Sequence, residues 1–351
     1  MSNQYFDKES RLNDVVLIRS IAIVMVVAFH AYLKMPSHFP DSVELHPELF
    51  KMYDELHCHI LQFRMPLFIL ISGYLFSHLE NDRGKYATFT ALLKNKFKRL
   101  IVPFFVFATI FMVSIHNFSW VPYYEWGYQH LWFIPMLFWC FIFTRLQSFL
   151  PFSKSTWWKA LLLVVFFSFI IFLNISIPLF ALPNFLKWYF WFYFGYQIYL
   201  NRDRIYGFMD SHRYLYSVIL LAVFVYGTWV KCNHDGSDYI YKTAMELANV
   251  SVVLLFWFWI NFILFGFVRA NGGVIRNFNW LNKHAYGIYV FHNWLQPFLI
   301  SSTAIGLFGL EALAMNYPVL FPLVFFISSF IISLGLTWLL LKTRIGRFLI
   351  G

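Results

Sequence analysis

The stretch LIRSIAIVMVVAFHAY, residues 17–32, is apolar enough to lie in lipid, yet it carries Arg19 and His30. Eleven residues at 100° each return a helix to within about 20° of its starting direction, so both side chains share one face. Along the axis they stand about 16.5 Å apart, which puts Arg19 near one membrane boundary and His30 in the opposite half. Alone, an arginine near a helix end reads as a snorkelling anchor, and a buried histidine as a hydrogen-bonded core residue. Aligned on one face, the two favour a functional line across the membrane.

The rest of the chain supports the membrane setting. Of 351 residues, 60% are hydrophobic and only 13% are charged. A soluble domain of this size cannot hide so much apolar surface. Apolar runs of about 20 residues cross the hydrocarbon layer as helices, and the alternating pattern of a membrane barrel is missing. The expected fold is an all-α integral membrane protein, a single domain over residues 1–351. It is a bundle of about ten transmembrane helices near 15–33, 58–79, 100–115, 129–149, 160–177, 185–201, 214–230, 243–267, 284–306 and 319–341.

The net charge of +10 follows from topology. With the amino terminus inside, 20 of the 27 lysines and arginines fall in inner segments and five outside, with Arg19 and Arg64 within spans. That bias predicts two cytoplasmic termini in a multi-pass protein of the cytoplasmic (inner) membrane, and it needs no nucleic acid. No A-x-A cleavage pattern follows the first run, so it reads as a retained span. Residues 34–57 form an acidic, histidine-bearing outer loop, and residues 80–99 a basic inner mouth at which anionic ligands are expected to arrive. Three scattered cysteines make neither a disulfide framework nor a zinc site. The triplet His57–Cys58–His59 is too short for a metal site without remote ligands, so no metal is expected.

Five blocks then follow in order: Arg19 with His30, FRMPLFILISGYLF (63–76), KNKFKRLIVPFF (94–105), HLWFIPMLFW (130–139) and NKHAYGIYVFHNW (282–294). Together they resemble the membrane acyltransferase-3 family, over about residues 10–345. The first block matches its R-x10-H signature, and the flavour is closest to fucose 4-O-acetylase-like and capsule O-acetylase-like members. The resemblance implies O-acetylation of a sugar in a cell-envelope polysaccharide or its lipid-linked precursor, with acetyl-CoA as donor. It implies His30 as general base, because a neutral imidazole accepts a proton near neutral pH. An acyl-histidine intermediate on His30 is the rival scheme.

Arg19 is then expected to act in catalysis and to hold a phosphate or orient the thioester. Lys98, Arg99 and Ser72 are expected cofactor contacts; Lys94 and Lys96 read as topological charge. His130, Trp132, Tyr286 and His292 are the expected substrate contacts, although packing or interface anchoring also explains the tryptophan and the tyrosine. Asp54, Glu55, Glu125 and His130 are open as orienting partners of His30. Membrane lipid is the solvent, and a homo-oligomer or polysaccharide-assembly partners are compatible with the class. The alternative is a transporter of a lipid-linked sugar or organic anion. Against it stand the lack of a repeat relating the two halves and of an acidic residue securely inside a span.

Overall fold

The structure is a computed structural model that describes residues 13–56, 63–125, 127–172, 180–234, 236, 238–270, 272–300 and 309–351. Among the described residues it is helical, with no strand. In chain order the helices are α1 (Asn13–His38), α2 (Pro40–Leu45), α3 (Pro47–Glu55), α4 (Arg64–Asn81), α5 (Phe89–Lys96) and α6 (Val102–Ser114). They continue with α7 (Val121–Tyr124), α8 (Phe133–Gln147), α9 (Thr156–Phe172), α10 (Leu182–Leu200), α11 (Arg202–Ser211) and α12 (Arg213–Asn233). The last are α13 (Tyr239–Ala270), α14 (Gly272–Ile300), α15 (Leu310–Asn316), α16 (Leu320–Lys342) and α17 (Arg344–Ile350). Each of the ten expected spans falls on a helix, while residues 58–62, 173–177 and 301–306 of those spans lie outside the described residues. Among the described residues, five helical stretches are long and apolar enough to cross a membrane: Val15–His38, Phe89–Ser114, Arg213–Lys231, Tyr239–Ile260 and Leu320–Lys342.

The contacts group the chain into two compact units. Pro66–Ala270 belongs to the first, and Val16–Met65 with Asn271–Gly351 forms the second. In the first unit α4 and α10 cross at a pair of glycines. A Cβ on Gly73 would stand 1.8 Å from the Phe192 carbonyl oxygen, and one on Gly195 2.0 Å from that of Leu70. Small residues let membrane helices approach backbone to backbone, which is the use Gly73 has here. The exposed face of α12, with Tyr214, Val218, Val225 and Trp229, is the lipid-facing kind.

Below the glycine crossing, the end of α4 carries a polar network. Arg145 of α8 donates to Glu80 at 2.8 Å, and the Tyr196 hydroxyl donates to the other Glu80 oxygen at 2.7 Å. The Tyr199 hydroxyl donates to Asp82, so it must accept from His78 Nδ1, 2.7 Å away. Burial works against the Asp82 charge, but Tyr199, Arg202 and His78 together hold its carboxyl below the usual carboxylate range.

The second unit has its own core, in which Ala31, Phe39 and Phe50 meet Leu310, Ala314, Phe321 and Phe325. Polar ties pin its surface helices. Ser42 donates to the Ala314 carbonyl at 2.7 Å, and His46 Nε2 donates to that of Met315 at 3.1 Å. Helix α14 packs on a small polar stripe of α16, Ser329, Ser333 and Thr337, all fully buried. Ser329 donates to the His292 carbonyl at 3.0 Å, and Gly287 rests against the Thr337 side chain.

Candidate active site

Helix α1 is continuous from Arg19 to His30, so the aligned face expected from spacing is present. Between them on that face Ile23, Val26 and Val27 are buried, while Arg19 and His30 are half-buried. The His30 imidazole packs edge-to-face on His292 of α14, ring centres 5.0 Å apart. It also touches Phe29 edge-on at 5.4 Å, and the Arg64 guanidinium lies 3.3 Å from the centre of the Phe29 ring. A histidine, a second histidine and an arginine thus gather around the Phe29–His30 turn of α1.

His292 is fully buried and fixed by its own helix. Its Nδ1 lies 2.8 Å from the Tyr289 carbonyl and 3.1 Å from that of Ile288. Carbonyls only accept, so Nδ1 carries the hydrogen and Nε2 is the acceptor nitrogen of the ring. One turn further along α14, Gln296 is fully buried with neither amide atom hydrogen-bonded. Two turns back, the Tyr286 hydroxyl is also buried without a partner, and Tyr289 packs beside His292 at 6.0 Å.

Arg19 has no ion-pair or hydrogen-bond partner among the described residues. A guanidinium inside a membrane span is a group that can hold an anion such as a phosphate. Of the acids considered as orienting partners, Asp54 is taken up by the Tyr32 hydroxyl, which donates to it at 2.8 Å. His30 meets His292, whose block the sequence singled out for substrate contact.

The other expected site residues lie in the first unit. Ser72 donates to the Phe68 carbonyl of its own helix at 2.9 Å. His130 is buried and stacks on Phe111, and Trp132 stacks on Trp188. Lys98 and Arg99 are exposed on a π-helical segment, Phe97–Ile101, that joins α5 to α6. That wider turn brings Leu100 and Ile101 inward, and Lys96 points into the protein at its start. The Lys96 ammonium sits 3.3 Å from the centre of the Phe141 ring, 5.1 Å from that of Tyr86 and 5.7 Å from that of Phe76. The basic residue held inside is therefore Lys96, which sequence reading had treated as topological charge. A π segment has no signature in a run of lysines, so only the coordinates single it out.

Glu246 was missed as well. It lies inside the expected span 243–267 and is buried with Asn249, Val253 and Trp257 on one face of α13. Its presence corrects the expectation that no acidic residue sits within a span. The signal was available, because positions 246, 249, 253 and 257 follow helical spacing. His57–His59 lie outside the described residues, and among those described no three metal-ligating side chains gather.

The family model described as acyltransferase domain (acyltransferase-3) matches residues 12–342. No curated protein and no solved structure matches the chain.

Proposed function

The chain belongs to the acyltransferase-3 family, and on that premise we propose that it moves an acetyl group from cytoplasmic acetyl-CoA to a sugar hydroxyl. The acceptor is a cell-envelope polysaccharide or its lipid-linked precursor at the inner membrane. That the chain is a multi-pass membrane acyltransferase follows from the family and its apolar helices. The donor, the acceptor, the residue roles and the inward-facing termini are the proposal. The observation that carries it is the contact of His30, on the helix that also holds Arg19, with His292.

Acetyl-CoA supplies an activated thioester. His30 takes the proton from the acceptor hydroxyl as its oxygen attacks the thioester carbonyl carbon. The carbon–sulfur bond breaks, and the same proton goes to the departing sulfur, which leaves as free thiol. His292, which packs edge-to-face on His30, is given the part of orienting the His30 imidazole toward the hydroxyl, the part an acid plays in other triads. Arg19 holds a phosphate or the thioester oxygen. Lys98, Arg99 and Ser72 are assigned to the nucleotide in the first unit, and His130, Trp132 and Tyr286 to the acceptor. Composition analysis of surface glycans from a strain lacking the gene tests the reading: one O-acetyl ester is expected to disappear and to return on complementation. An unchanged ester profile would remove the proposed acceptor class.

A further inference from the structure

The fully buried side chain of Gln296 is not explained by packing. Among the described residues its amide nitrogen and oxygen both lack hydrogen-bond partners. Each such group is costly when left unpaired in the interior, and lipid offers no water to relieve it. A leucine of similar volume would fill the same space without that cost. That leaves the amide placed to meet a ligand.

Its position narrows what that is. Gln296 is one turn from His292 on the same face of α14, about 6 Å along the axis. His292 is the ring in contact with His30. Asn293, also buried, lies beside it on the same turn. On the topology that the basic residues predict, α14 runs outward, so Gln296 lies on the outer side of His292, away from the end where Arg19 sits. A carboxamide offers two N–H donors and one acceptor oxygen in one plane. The group that matches it is a hydroxyl, which donates and accepts at once, and two neighbouring hydroxyls match it better than one.

We propose that Gln296 is a binding residue for the hydroxyl-bearing acceptor, holding the hydroxyl next to the one that His30 deprotonates. This rests on the reading of His30 as the base. It gives the acceptor side of the reaction a named contact, and it makes the substrate class a vicinal diol of a sugar. A site that binds hydroxyls through a buried amide discriminates strongly against acceptors lacking them, because the amide is then left unpaired.

The test uses the full chain purified in lipid nanodiscs, with acetyl-CoA and, as probe, the glycan fraction extracted from the deletion strain and graded by hexose content. Thiol release is followed against each substrate in turn. For Gln296→Leu the half-saturating glycan concentration is expected to rise about tenfold or more, with the KM for acetyl-CoA within twofold. Gln296→Glu, which keeps an acceptor oxygen, is expected to fall between the two. An unaltered glycan KM in Gln296→Leu, with His30→Ala inactive, overturns the inference and leaves the proposed function standing. Turnover retained in His30→Ala overturns that function itself. The acetyl-CoA KM reports a folded enzyme in the Gln296 variants, monodisperse elution reports it for His30→Ala, and should Gln296→Leu fail to fold, Gln296→Glu decides by the same glycan KM.

Discussion

His30→Ala is expected to lower acetyl-CoA-dependent thiol release by about 10²–10⁴-fold, the range for removing a general base. The loss should appear in kcat, because the imidazole works on the proton that moves in the transition state and adds little to ground-state binding. His292→Phe keeps a ring against His30 but removes the acceptor nitrogen. It should cost less than His30→Ala, again in kcat, and His292→Gln, which restores an acceptor oxygen, should recover part of the loss. A packing role for His292 predicts the opposite order, with the phenyl ring harmless and the amide damaging. Steady-state kinetics on the purified variants separates the two. If His30→Ala turns over like the parent, the imidazole has no part in the chemistry.

The second large effect concerns the fold. Gly73→Ala forces a methyl carbon to within 1.8 Å of the Phe192 carbonyl oxygen, a backbone atom that cannot rotate away. The helices α4 and α10 have to separate, and with them the tyrosine contacts of Tyr74 with Tyr199 and Trp257. Overpacking of this kind costs roughly 1–3 kcal/mol, and a clash with backbone belongs at the upper end. A melting temperature lower by roughly 5–10 °C is expected, measured by the loss of monodisperse protein on heating. Gly207→Ala is the matching control, since a Cβ there has nothing within 4 Å. If the two variants melt together, the glycine crossing does not hold the unit.

The helices were legible because lipid leaves the sequence little choice. Apolar runs of spanning length announce themselves, and the period of α1 placed Arg19 and His30 on one face before any coordinates did. The block around Tyr289 and His292 was legible as a unit, but its partner was not. Which ring would meet His30 depends on how α14 packs along α16, through Ser329 and Thr337, and local sequence carries no trace of that pairing. The role of Gly73 was not legible either, because only the backbone of Phe192 against it marks it as a packing residue. Lys96 was misread for a different reason. In a basic segment every lysine satisfies the charge bias equally, and the π turn that buries one and exposes Lys98 and Arg99 is a matter of backbone geometry. Gln296 gave no signal at all, since an amide in a span looks like any tolerated polar residue until its missing partners are counted.

The most direct measurement is transfer itself. Purified chain in nanodiscs is incubated with acetyl-CoA carrying radiolabel in the acetyl group and with the glycan fraction of the deletion strain, and label in the glycan is counted before and after mild alkali. The account predicts alkali-labile label that depends on the chain and is lost in His30→Ala. Glycan that stays unlabelled while the added acetyl-CoA remains intact, or label that persists in His30→Ala, would contradict it.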